Sequence, residues 1–233
     1  AAPGVLRAAS SAAASTRARG LAYFRLLPAS AALAMTALVL APGYFRHEQR
    51  GELEGVGLLI ALCASGGALL LGAAAFAGAR AVARTTSLRR AWLADARPLA
   101  GRPGGMPAFE IDAPFPLVAV IGAFRPRLFI SSAVRTACTA PELAAIVEHE
   151  RGHVSARDNA MRLLMDASPD LFAWTPRARA IESAWQDAVE HRADDAAGNR
   201  LDLASALVRV ARLATAARPV ALPASALYRG EGI

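Results

Sequence analysis

The sequence predicts a mainly α-helical membrane protein: an N-terminal hairpin of two membrane-spanning helices, then an α+β domain that contains a short β-hairpin. Three observations carry this expectation. The chain is 55% apolar and only 19% charged, poorer in charge than an ordinary soluble domain. Two long uncharged stretches stand in its first third. From about Ala91 the pattern changes to a Pro/Gly-rich stretch, two strand-like runs, and then helical periodicity.

Residues 1–25 form a basic segment with Arg7, Arg17, Arg19 and Arg25. Two spans occupy 26–79. The first, Leu26 to Pro42, is about 17 residues and near the lower limit for crossing hydrocarbon; the second, Val56 to Ala79, is about 24 residues and comfortably long. Gly66, Gly67 and Gly72 in the second suit close helix packing. A signal peptide is the competing reading of the first, but a second span so soon after it favours a hairpin. Arginines precede the first span and follow the second at Arg80, Arg84, Arg89, Arg90 and Arg97. The loop between mixes Arg46 and Arg50 with Glu48, Glu52 and Glu54. Positive-inside bias predicts both ends in the cytoplasm, hence a multi-pass inner-membrane protein whose following domain faces the cytosol.

The net charge is +7, all of the basic residues being arginine. They are scattered, with no RNA-binding or helix-turn-helix signature, so the expected partner is an anionic lipid bilayer rather than nucleic acid. Cys63 and Cys138 predict neither a disulfide framework nor a cysteine zinc site.

Residues 80–116 read as a cytoplasmic linker, and 117–199 as the functional domain. "LVAVIG" and "RLFIS" predict a β-hairpin with Arg125-Pro126 in its turn. Thr139, Pro141 and Glu142 then spell a helix start of the capping-box kind. "MRLLMDASPDLFAWTP" offers Leu164, Leu171, Phe172 and Trp174 either to a membrane surface or to a covered core; Asp166 and Asp170 speak against a crossing. Residues 200–233 read as an amphipathic helix, with Arg209 and Arg212 on its polar side, and a tail.

Inside the helix that begins at Thr139 lies "HERGH". Residues four apart share a helix face, so His149 and His153 can turn their imidazoles to one metal ion, and Glu150 can act as general base. HExxH fixes only three residues and also occurs on solvated helices, so a further ligand is needed. A second helix, from Thr175-Pro176 to a stop at Gly198, carries Glu190 and, one turn on, Asp194. Glu190 is the expected third ligand and Asp194 a partner for a free histidine nitrogen. His191 competes as a ligand but points about 100° away around the helix. Gly152 costs helix stability of about 1 kcal/mol relative to alanine, tolerable where something must approach closely.

"ELAAIVEHERGHVSARDN" followed by "EHRADDAA" resembles membrane zinc peptidases of the gluzincin type. It is similar both to the HtpX and CAAX prenyl protease group and to the BlaR/MecR antirepressor peptidase group. Asp158 matches an aspartate of both, and "GAFRPRLFISSAV" resembles the hairpin they place before the zinc helix. Ser155 and Ala156 stand where the antirepressor group often has basic residues. The resemblance implies a zincin-like metallopeptidase domain holding one Zn2+ per chain through His149, His153 and Glu190. Glu150 would be the acid/base, and a polypeptide, such as a membrane protein or a repressor, the substrate. His191 and Arg192 are the candidates for stabilising an oxyanion. The rival expectations are an inactive zinc-binding membrane protein of signalling or assembly, and a helical adaptor that binds no metal.

Overall fold

The structure, a computed structural model, describes residues 13–47, 57–113, 115–169 and 175–216. Arg7, the loop residues Glu48, Arg50, Glu52 and Glu54, the apolar trio Leu171, Phe172 and Trp174, and the tail from 217 lie outside the described residues. The chain divides into two units, Ala1–Ala79 with Leu164–Gln186, and Arg80–Leu163 with Asp187–Ile233.

In the first unit, helix α1 (Ala14–Met35) runs through a π-turn (Thr36–Leu40) into α2 (Ala41–His47). Helix α3 (Leu58–Ala94) begins in this unit and ends in the other. These helices are longer than the predicted spans at both outer ends, where arginine and alanine are good helix formers. Pro42 does not terminate the first. A π-turn lies directly before it, with the Ala41 N–H bonded to the Thr36 carbonyl five residues back. Ala14–Arg46 and Leu58–Ala94 are long and apolar enough to cross a membrane, with mean hydropathy 1.7 and 2.1. Their apolar side chains, such as Leu38, Leu58, Leu59 and Leu69, are exposed, a surface better suited to lipid than to water. Gly66, Gly67 and Gly72 meet no atom within 4 Å, contrary to expectation; the close approach is at Gly78, where an added Cβ would lie 2.9 Å from the Ala167 Cβ. A small residue permits a tight contact but does not demand one.

The second unit is built on a mixed sheet. Strands β1 (Arg97–Pro98), β2 (Ala108–Ile111), β3 (Val118–Ile121) and β4 (Arg127–Ser131) lie in the order β1-β2-β4-β3, with β2 parallel to β4 and the other pairs antiparallel. The predicted hairpin is β3–β4, but the supposed linker also supplies two strands. Its prolines and glycines hide "AFEI", which packs Ala108 on one face of the sheet and Phe109 and Ile111 on the other. On one face Phe129 stacks on Phe109 (centroids 5.6 Å apart) and meets Trp92 edge-on at 5.3 Å, with Leu88 and Leu93 alongside. On the other, Leu128 and Ile130 pack with Val134, Ile146, Val147, Leu203 and Ala206.

These last residues come from α4 (Ser132–Ala137), α5 (Ala140–Ser155) and α8 (Arg200–Ala216). Between α5 and α8 run α6 (Asp158–Asp166) and α7 (Pro176–Ala196). The predicted capping box is present at Thr139 and Glu142. Glu142 does more than cap. It is buried, accepting from the Thr139 N–H at 2.7 Å, the Ser205 hydroxyl at 2.6 Å and the Arg209 guanidinium at 3.2 Å. One carboxylate thus fastens the start of α5 to the middle of α8, and Arg209 belongs to that fastening.

The Ser205 hydroxyl, then the Thr139 N–H, hold the Glu142 pKa down at about 2, from an ordinary 4.5. A depressed carboxylate pKa stabilises the fold fully above the unfolded value and loses its contribution as pH falls toward the folded one. Glu142→Gln should therefore lower the melting temperature of the detergent-solubilised chain at pH 7, with the gap to wild type closing between pH 4.5 and 2. A gap constant with pH would contradict this.

Candidate metal centre

The centre lies within the second unit, between α5 and the C-terminal half of α7. What lets the two helices meet is Gly152. A Cβ added there would sit 3.2 Å from the Ala193 Cα and 3.2 Å from the Ala196 Cβ. Ala193 is itself fully buried. Glycine facing alanine brings the backbones together, so His149 and His153, a turn apart on α5, face Glu190 one turn before the contact on α7.

The His149 and His153 Nε2 atoms are 3.1 Å apart, and the Glu190 Oε2 lies 3.6 Å from the first and 3.7 Å from the second. Donors bound to a tetrahedral zinc at about 2.0–2.1 Å stand about 3.3 Å from one another, so the three atoms already frame such an ion. Among the described residues this is the group of histidine, cysteine or acidic side chains able to hold a metal. Two imidazoles and one carboxylate suit zinc. The rings are largely covered, at 16% and 17% exposure, whereas Glu190 is 55% exposed, so the centre opens on the Glu190 side.

The other ring nitrogens face carboxylates. His153 Nδ1 is 2.9 Å from Asp158 Oδ2, and His149 Nδ1 is 3.0 Å from Asp194 Oδ1, near enough but not in line for a hydrogen bond. Asp158 holds the ring orientation that turns the His153 Nε2 into the site, and Asp194 stands in the same position behind His149. Asp158 is buried and is held in turn by the Arg192 guanidinium. Sequence offered Arg192 for an oxyanion; the structure joins it to Asp158, where it supports His153. His191 is exposed and lines a cleft of about 430 Å3 with Asp194, Asp195, Arg200, Leu203 and Leu207.

The field of the site favours positive charge. Burial works against a charged His153, yet its hydrogen bond to Asp158 and the nearby Glu190 carboxylate raise its pKa to about 9. The His149 and His153 rings beside it hold Glu190 well below the usual carboxylate range. Glu150 behaves oppositely: burial pushes its pKa up, while His153 and His149 pull it down. The backbone N–H of Val120 on β3 also works to pull it down. Donor spacing, donor chemistry and field all fit a divalent cation.

Sequence reasoning named His149, Glu150, His153, Glu190 and Asp194, and the structure brings all five together. It gave no role to Asn159, whose partners lie on β3; no local pattern signals a bond between such distant residues.

Gly152→Val should force α5 and α7 apart, costing about 1–3 kcal/mol of stability and weakening zinc binding about tenfold or more. Asp158→Asn should leave the helices in place and weaken zinc binding about 10–100-fold. Competition titration against a chromogenic chelator reads both, and undiminished affinity in either would contradict the geometry. No family model, curated protein or solved structure matches this chain, so what the centre does is inferred from the residues that build it.

Proposed function

We propose that the chain is a membrane-anchored zinc endopeptidase, with the metal held by His149, His153 and Glu190 and with Glu150 as general base. The observation that carries this reading is the convergence of the three ligand atoms from two helices, with the half-buried Glu150 carboxylate beside them. Zinc there supplies a Lewis acid that polarises a scissile carbonyl and lowers the pKa of water.

The protein's own groups do the rest. Burial raises the Glu150 pKa, and a carboxylate made more basic is the better proton acceptor. It takes the proton of the attacking water and delivers it to the leaving nitrogen. Strand β3 is an edge strand of the sheet beside Glu150, suited to holding an extended peptide by strand addition. His191, on the open cleft, is the remaining candidate for the developing oxyanion. The two apolar helices anchor the domain, and the arginine bias favours the cytosolic face of an inner membrane for it. The resemblance to the HtpX/CAAX prenyl protease and BlaR/MecR groups points to the same reaction and to a polypeptide substrate.

Glu150→Gln should keep one zinc per chain and lower cleavage of an unfolded model protein by about 100–10,000-fold. Retained turnover would remove Glu150 from the mechanism. A wild-type chain with stoichiometric zinc and no chelator-sensitive cleavage would favour a zinc-bound signalling domain instead.

A further inference from the structure

Asn159 stands at the start of α6, next to Asp158, and its side chain crosses to the sheet. Its Nδ2 donates to the Val120 carbonyl at 3.1 Å and to the Gly122 carbonyl at 3.4 Å. One carboxamide thereby spans two carbonyls on the same side of β3 and its exit turn. That turn is itself fixed: Gly122 has φ +113°, and a Cβ there would come within 2.6 Å of the Arg125 carbonyl oxygen.

The register shows what Asn159 is holding. Ser131 N–H donates to the Leu117 carbonyl, so Leu117, Ala119 and Ile121 turn their backbone groups toward β4, and Val118 and Val120 turn theirs to the open edge. The Val120 carbonyl takes the Asn159 amide, and its N–H is turned to the side where α5, which carries Glu150, packs against β3 and favours the charged carboxylate there. An edge strand with nothing on its outer side has no reason to keep one depth against the neighbouring helix; a side-chain amide bonded to two of its carbonyls supplies the reason.

We propose that Asn159 is a positioning residue for Glu150. By fixing Val120 and Gly122 it aims the Val120 N–H at one oxygen of the Glu150 carboxylate, leaving the other oxygen for the attacking water. A second consequence is register. With Val120 engaged, an extended peptide pairs with β3 through the outward amide and carbonyl of Val118. The catalytic half of this inference rests on the peptidase reading; the strand-fixing half does not.

The variant that isolates the role is Asn159→Asp, equal in shape but without the donor, and it sets a negative charge against two carbonyls. Asn159→Gln, which keeps the amide on a longer arm, is the rescue. The full chain in detergent is assayed for zinc content, for kcat and KM on a model peptide, and for hydrogen exchange of segments spanning 117–123. Asn159→Asp should bind zinc as wild type does, lose about ten- to a hundredfold in kcat per zinc-loaded chain with KM little changed, and exchange faster in that segment. Asn159→Gln should recover part of both. Unchanged exchange, or faster exchange with unchanged kcat, overturns the proposal. If zinc-loaded wild type cleaves nothing, the peptidase reading fails, and the exchange rates alone decide whether Asn159 holds the strand.

Discussion

Every feature of the candidate metal centre depends on how closely α5 approaches α7 at Gly152 and Ala193. Two histidines on one helix face are a commonplace; a carboxylate from another helix at 3.6–3.7 Å from both is not. That distance exists because a hydrogen atom, rather than a side chain, separates the helices. The stability that glycine costs inside α5 is the cost of the geometry, and it is offset where the helix is fastened most firmly. Its start carries the capping box, and the same Glu142 reaches Ser205 and Arg209 on α8.

Around this contact the polar groups are arranged in opposite senses. Arg192, Asp158 and His153 form a chain that ends at the His153 Nε2, and Asp194 stands behind His149. Both histidines thereby turn their Nε2 atoms to the Glu190 carboxylate. Glu150 lies beside them, covered enough that desolvation raises its affinity for a proton. A site that attracts positive charge at three atoms and a proton at a fourth matches the needs of metal-assisted hydrolysis. The mixed sheet adds an edge strand whose outer backbone groups lie next to that fourth atom.

The parts legible in the sequence are those set by local chemistry. Helix periodicity placed His149 and His153 together, Thr139 and Glu142 announced the helix start, and a one-turn offset paired Glu190 with Asp194. Strand alternation exposed the β3–β4 hairpin. What stayed hidden depends on distant neighbours. Strand β2 is a strand because β4 pairs with it, and proline and glycine around it read as loop. Arg192 carries a charge that suits an oxyanion equally well until Asp158 is seen against it. Asn159 looks like a helix-start residue, and only the fold brings Val120 within its reach. Gly66, Gly67 and Gly72 show the reverse error, since small residues signal a contact that this chain makes instead at Gly78.

The most direct test is X-ray absorption at the zinc edge on the purified, zinc-loaded chain. The account predicts one zinc per chain with four nitrogen or oxygen neighbours at about 2.0–2.1 Å, two of them showing the multiple-scattering signature of imidazole, and no sulfur. A sulfur neighbour at about 2.3 Å, pointing to Cys63 or Cys138, or a single imidazole, would contradict it.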